Sequence, residues 1–260
     1  MALDPLLIRQ AAEVLAAARL LAVSSGAGMS RESGLMTFRE AQTGLWAQYD
    51  PQQLATPQAF RRDPDLVWSW YMMRLQRVRE AQPNPGHYAV AELEHLIPQV
   101  VVLTQNVDGL HERAGSTDIV ELHGRLGRFK CGTGCQGEPT PIDLAVIDHD
   151  AEHAPRCPQC GDYVRPDVVW FGENLPRGAV ERAFQIAGAC DVMLVVGTSG
   201  MVQPAASLPV AARRAGATVI EVNPEPSQIT PLADVFLQGP SGEVLPQIVA
   251  AVWARREPSA

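Results

Sequence analysis

Short apolar runs recur along this chain, and between them apolar residues fall at helical spacing. The runs at residues 20–24, 99–104, 119–122, 192–197, 218–222 and 235–237 are mostly continuous in Val, Ile and Leu rather than alternating with polar residues. Strands of that kind are buried on both faces, as in a parallel sheet covered by helices. Residues 86–96, 204–215 and 242–256 carry the helical period and separate several of the runs, so the pattern predicts an α/β fold with a doubly wound parallel sheet. An additional helix is expected to start at Asp4-Pro5, a capping residue followed by proline in the first turn, and to run to Arg19.

Two segments break this rhythm. Residues 40–85 hold Trp46, Trp68, Trp70 and Tyr71 among several prolines, and residues 129–165 hold two cysteine pairs. The expected organisation is a large domain from 1–39, 86–128 and 166–260, with a helical insertion at 40–85 and a metal-binding insertion at 129–165 forming a smaller domain. No internal repeat is present.

Composition narrows the function classes. With 46% hydrophobic and 19% charged residues among 260, the chain is an ordinary globular protein able to bury a full core. A net charge of −8 with no basic patch argues against a duplex nucleic acid partner. The N-terminal residues lack a basic leader and no run approaches the ~20 apolar residues of a membrane span, so no secretory signal and no membrane association are expected. The expected location is cytoplasmic.

Cys131 and Cys135 have three residues between them, Cys157 and Cys160 have two, and 21 separate the pairs. Four thiolates at this spacing, with Gly132, Gly134, Pro158 and Gly161 to turn the knuckles, are a zinc signal. A tetrathiolate site has no open position for water, so its expected role is structural. A redox pair at Cys157 and Cys160 is the weaker reading, and Cys190 reads as a buried apolar thiol.

The remaining chemistry sits at strand ends. The run at 20–24 enters Gly26-Ala27-Gly28-Met29-Ser30, a turn that lets a phosphate approach the backbone or simply folds tightly with no ligand. Arg31 stands where a dinucleotide fingerprint has its third glycine, so an ordinary dehydrogenase loop fits poorly. After the run at 99–104 come Gln105-Asn106-Val107-Asp108-Gly109-Leu110-His111 and then Leu122-His123-Gly124, an amide, a carboxylate and imidazoles at the mouth of the expected sheet. Open α/β folds bind ligands there.

Taken in order, these segments resemble the sirtuins, NAD-dependent protein lysine deacylases. The match continues through Gly34-Leu35-Met36-Thr37-Phe38-Arg39, Val168-Val169-Trp170-Phe171-Gly172-Glu173, Gly197-Thr198-Ser199-Gly200 and Asn223-Pro224-Glu225, spanning nearly the whole chain. The resemblance implies a Rossmann-like domain and a small zinc and helical domain, with NAD as co-substrate between them. It implies that Gly26, Ala27 and Gly28 line the pyrophosphate with backbone amides, with Ser30 and Thr37 in the same NAD-contacting set. Arg39 would add charge near the phosphates or ribose, and Phe38 would shield the reactive ribose. Asn106 would hold the ribose or an ordered water, Gln105 would contact the ribose, and Asp108 would accept hydrogen bonds from the nicotinamide carboxamide. Thr198, Ser199 and Asn223 would meet the adenosine half, with Gly197, Pro224 and Glu225 in the same NAD-contacting set, and Ser241 would lie near the adenine.

In the family the acyl oxygen attacks the ribose carbon bonded to nicotinamide, and His123 would then act as general base on a ribose hydroxyl. Asn106 joins it as a catalytic residue. Acylated-lysine proteins or peptides would add as a strand along 168–171, beginning at Val168, an arrangement that reads little side-chain sequence. A monomer is the expectation.

Tyr71 and Arg74 stand three apart in a stretch of helical period and would present a phenol and a guanidinium on one face, a pairing suited to a carboxylate. The pair resembles the mark of class III sirtuins of bacterial type, desuccinylases and demalonylases that also deacetylate, and Thr37 and Ala41 point the same way. A solvated basic face over a core tyrosine is the competing reading. An NAD-dependent protein ADP-ribosyltransferase is the alternative in chemistry, and a zinc-ribbon nucleic acid binder the alternative in class.

Overall fold

A computed structural model describes residues 4–35 and 50–256. The chain divides into two compact units, one of Met1–Leu35, Gln82–Leu122 and Pro176–Ala260, the other of Met36–Ala81 and His123–Leu175.

The first unit is built on a six-stranded sheet. Its strands are β1 (Leu20–Ser25), β2 (Gln99–Thr104), β3 (Ile119–Glu121), β7 (Val192–Val196), β8 (Thr218–Asn223) and β9 (Val235–Gln238), in the order β3-β2-β1-β7-β8-β9. Every pairing is parallel. The period-2 rule sorts the side chains: Leu21, Val23, Val102, Leu194, Val196, Ile220 and Val222 join the main core, while Ala22, Val101, Leu103, Met193 and Val195, equally buried, point to the other face. This double burial explains why the runs do not alternate.

The main core is completed by α1 (Pro5–Ala17), α5 (Pro85–Leu96) and α9 (Ser241–Arg256), through Ile8, Leu15, Val90, Leu93, Leu245 and Ile248. On α1 the Asp4 carboxylate accepts the Leu6 amide at 2.9 Å, the cap that the Asp-Pro start predicts. Helix α5 begins one residue before the expected 86, with Asn84 accepting from the amides of Gly86 and His87 in a capping box. Helices α7 (Arg177–Ala187) and α8 (Leu208–Arg214) pack against one another and against strands of the same sheet.

The second unit holds a three-stranded antiparallel sheet, β5-β4-β6, of β4 (Gly124–Cys131), β5 (Pro141–Ile142) and β6 (Val164–Val168). Strands β4 and β6 pair over residues that the sequence pattern assigns to the large domain, so the boundaries fall at 122/123 and 175/176 rather than 128/129 and 165/166. Helices α2 (Pro51–Leu54), α3 (Pro57–Arg62) and α4 (Pro64–Glu80) complete it. Its core is aromatic: Trp68 lies 5.6 Å from Phe129, and Phe60 lies 5.1 Å from Trp170 and 6.0 Å from Tyr163, measured between ring centroids. Between Leu110 and Arg113 the first unit carries one further short helix, α6.

Candidate active site

Strand order reverses between β1 and β7, so the carboxyl ends of these two strands flank the topological switch point of the first unit. Gly26–Ser30 leaves β1 there and Gly197–Gly200 leaves β7. The two turns touch backbone to backbone. Gly26 donates its amide to Val196 O at 3.0 Å and Gly28 donates to Gly197 O at 2.8 Å. A Cβ on Gly28 would meet Gly197 Cα at 2.8 Å, and one on Gly197, whose φ is +60°, would lie 2.2 Å from Met29 N. The glycines are therefore required for close approach of two turns. The amides of Gly26 and Gly28 are thus both bonded within the fold.

Around this junction lies a buried polar cluster. Asn106 is only 9% exposed and its Nδ2 donates to Gly26 O and to Ser30 Oγ, both at 3.1 Å. Ser30 Oγ donates to Asp108 Oδ2 at 2.7 Å, and Asp108 Oδ1 accepts the Leu110 amide at 2.9 Å. Asp108 thus caps its own turn while facing Ser30, and Asn106 reaches across to the neighbouring strand's turn. Gln105 Nε2 donates to Thr198 Oγ1 at 3.3 Å, and Asn223 Nδ2 to Thr198 O at 2.9 Å. The structure therefore gathers Gly26, Gly28, Ser30, Gln105, Asn106, Asp108, Gly197, Thr198 and Asn223 at one end of the sheet. Ala27, Pro224 and Glu225 are exposed, and Ser199 is half-buried beside Thr198. Thr37, Phe38, Arg39 and Ala41 lie outside the described residues.

Ser241 does not cap α9 but opens it, its hydroxyl donating to Glu32 Oε2 at 3.1 Å. Glu32 supplies the cap instead, accepting the Gly242 amide at 2.7 Å.

Two histidines extend the cluster inward: His111, from the stretch that ends β2's turn, and His87, which the sequence pattern does not mark. His111 Nε2 lies 2.9 Å from Ser25 Oγ, which donates to Thr104 Oγ1 at 2.9 Å, and His87 Nε2 lies 3.4 Å from Ser30 Oγ. Their rings meet at 5.0 Å. Burial pushes His87 down to about 4, and burial together with the neighbouring His87 pushes His111 down to about 3. Both imidazoles are neutral at physiological pH and too weakly basic to serve as general bases.

In the second unit, His123 is half-buried in the turn before β4, and its carbonyl accepts the Val169 amide at 2.9 Å. Gly124 follows at φ +76°, where a Cβ would strike Asp167 O, so glycine at this position is a local necessity of the β4–β6 start. Val168 closes β6 and is buried. The amides of Val169, Trp170 and Phe171 are donated to His123 O, Glu173 Oε2 and Ala55 O. Tyr71 is 2% exposed on α4, and the Arg74 guanidinium lies 5.7 Å from its ring and 4.7 Å from that of Trp70. Burial raises Tyr71, against the pull of Arg74, to about 12. Tyr71 is thus a core residue with the Arg74 guanidinium beside its ring.

The sulfurs of Cys131, Cys135, Cys157 and Cys160 all lie within 4.8 Å of one another, with Cys131 to Cys160 at 3.5 Å and Cys135 to Cys157 at 3.9 Å. Tetrahedral zinc with bonds of about 2.3 Å needs sulfurs about 3.8 Å apart, so the four residues fit one ion. The wide first pair causes no misfit: Gly134 at φ +59° folds the extra residue back, its amide donating to Cys131 O at 3.3 Å. Cys190 is buried, its thiol bonded to Ala187 O.

The family description that matches residues 26–204 is "Sir2 family". The chain belongs to the Sir2 family. A curated Sir2 relative from Pyrobaculum aerophilum, named NAD-dependent protein deacylase 2, is 52% identical over 245 residues, covering 94% of this chain and 95% of its own. The solved structure of a Sir2 homolog with NAD superposes with a TM-score of 0.86 at 43% identity, over 95% of this chain and 94% of that one. A Sir2 enzyme bound to a myristoylated histone peptide gives 0.77 at 38% identity, over 97% and 99%. The parallel sheet and the cysteine cluster accord with this Rossmann-like Sir2 fold. Among the described residues, no helix is long and apolar enough to cross a membrane.

Proposed function

We propose that this Sir2 chain is an NAD-dependent protein lysine deacylase that yields nicotinamide, O-acyl-ADP-ribose and the free lysine. The observation that carries the reading is the buried Ser30, Asn106 and Asp108 cluster at the switch point, in a chain whose Pyrobaculum relative is named for that activity over almost the same length. Asn106 and Asp108 are held by Ser30 and by backbone before any ligand arrives, so their polar groups are oriented in advance for the ribose and the carboxamide. With the amides of Gly26 and Gly28 already bonded, phosphate contact in this turn passes to exposed Ala27 and, across the junction, to Thr198 and Ser199. Asn223, Pro224, Glu225 and Ser241 are assigned to the adenosine half, and Thr37, Phe38 and Arg39 to the reactive half.

His123 is the general base. Of the histidines considered, His87 and His111 are disqualified by their low basicity, whereas His123 stands in a half-buried turn. The acylated peptide lies along 168–171. Because the amides of Val169, Trp170 and Phe171 are already donated, the peptide gives its own N–H groups to this edge. Tyr71, kept protonated, can donate its hydroxyl to an acyl carboxylate while Arg74 supplies charge, which favours succinyl and malonyl groups beside acetyl. Zinc held by Cys131, Cys135, Cys157 and Cys160 is structural, a monomer is the working state, and the four thiolates suit a reducing, cytoplasmic compartment.

The test is product analysis with NAD and acetyl, succinyl and malonyl forms of one peptide. O-acyl-ADP-ribose and free lysine are expected; a peptide that gains ADP-ribose instead marks a transferase. His123→Ala should lower turnover by about 10²–10⁴-fold.

A further inference from the structure

We propose that the buried Arg165–Glu173 ion pair is the positioning device that fixes the peptide edge at 168–171 to the turn carrying His123. The inference rests on the deacylase reading, since it takes this edge as the place where the peptide binds. Arg165 stands on β6 and is 4% exposed. Its guanidinium grips Glu173 in a fork, with Nη1 to Oε1 at 2.6 Å and Nη2 to Oε2 at 2.9 Å. Nη2 also donates to Val168 O at 2.9 Å, and the guanidinium carbon lies 3.3 Å from the centroid of the Trp170 ring. Glu173 Oε2 in turn accepts the Trp170 amide at 2.9 Å.

Two side chains therefore hold Val168 by its carbonyl and Trp170 by both amide and ring. The residue between them, Val169, donates its amide to His123 O. One hydrogen bond joins the edge to the turn of the proposed base, and its donor, Val169, lies between the two residues that Arg165 and Glu173 hold.

Sheet formation does not require this pair, because β6 pairs with β4 through backbone. Stability does not explain it well either, since a buried ion pair is often matched by apolar packing of equal volume. What an arginine fork supplies and apolar packing cannot is direction: rigid, planar donors that set the angle of the carbonyl and carboxylate they hold. Burial pushes the Glu173 carboxyl up, and the bonds and charge of Arg165 outweigh it, holding it below the ordinary carboxylate range. The pair therefore remains charged wherever the enzyme works.

A clamp on the peptide edge should appear in the peptide KM and leave NAD binding alone. With zinc-loaded enzyme, Arg165→Lys, which keeps the charge and loses the fork, should raise the acyl-peptide KM by about tenfold while the NAD KM stays within about twofold. Glu173→Gln, nearly isosteric, should show the same split at smaller size, and the double variant should exceed neither single by much. A merely structural role would instead reduce the active fraction, lowering kcat with both KM values unchanged. That outcome overturns the proposal, as does an equal rise in both KM values. Should Arg165→Lys fail to fold, Glu173→Gln decides between the same outcomes. Wild-type enzyme with a peptide N-methylated on the backbone either side of the acyl-lysine separates the two levels. If methylation leaves KM unchanged, the edge does not receive the peptide and the deacylase reading loses that part. If methylation raises KM but both variants leave it unchanged, only the clamp is wrong.

Discussion

Gly28→Ala tests whether the switch point is built as the close approach of its two turns indicates. The new Cβ would lie 2.8 Å from both Cα and O of Gly197 and 3.1 Å from its carbonyl carbon, all backbone atoms that cannot rotate away. Relief to an ordinary contact of about 3.4 Å parts the two turns by roughly 0.6 Å. The Gly28 N to Gly197 O bond, now 2.8 Å, would then stretch to about 3.4 Å, outside good hydrogen-bond range. Overpacking costs about 1–3 kcal/mol and the lost bond about 1 kcal/mol, so the expected destabilisation is roughly 2–4 kcal/mol. For a chain of this size that lowers Tm by roughly 4–16 °C. Thermal unfolding followed by circular dichroism measures it, with Ala27→Ser, at an exposed position of the same turn, as a control expected to move stability by less than about 0.5 kcal/mol. ADP-ribose titrated calorimetrically into folded variant should bind more weakly, because Thr198 follows the displaced Gly197. A Gly28→Ala protein that melts within about 1 °C of wild type would refute the close-packed junction.

Three further outcomes follow from the geometry. His87 and His111 titrate well below 6.5 in the folded protein, so between pH 6.5 and about 4 the unfolded chain takes up protons that the folded one refuses. Their stabilisation is present above 6.5 and is lost as pH falls, by about 1.4 kcal/mol per unit for each histidine; urea titrations at pH 7.5 and 5.5 should show it, and His111→Asn should remove about half of the loss. An unaltered pH slope in the variant would refute this. Arg74→Met should depress succinyl-peptide turnover at least about tenfold more than acetyl-peptide turnover, and an equal loss on both would show that Tyr71 and Arg74 do not read the acyl carboxylate. Chelation should release one zinc per chain and abolish the near-ultraviolet signal of Trp68, Trp70 and Trp170, all of the second unit; metal loss with that signal intact would show that zinc is not a determinant of its fold.

Legibility from sequence tracks how far apart the interacting residues lie along the chain. The cysteine ligands come in two local pairs with glycine turns, so spacing alone exposed them, and burial on both faces left the parallel strands as unbroken apolar runs. Strand β4 escaped notice because Gly124, Arg125, Gly127, Arg128 and Lys130 give it no strand-like composition; what makes it a strand is pairing with β6, some forty residues downstream. The polar cluster was harder still, since Ser25 and Thr104, or Ser30 and His87, meet only once β1 and β2 are neighbours. At the glycines of 26–28 the turn was legible but its neighbour Gly197 was not, because that contact is set by the pairing of β1 with β7 at the switch point. In the same way the carboxylate that caps α9, Glu32, stands 209 residues before Ser241. In each case the residue type was conspicuous and its partner was not, because a partner brought by topology leaves no periodic trace. Residues that carry conspicuous chemistry on their own are thus recognised first, and those such as Arg165 and Glu173, whose contacts are with other residues of the chain, are recognised last.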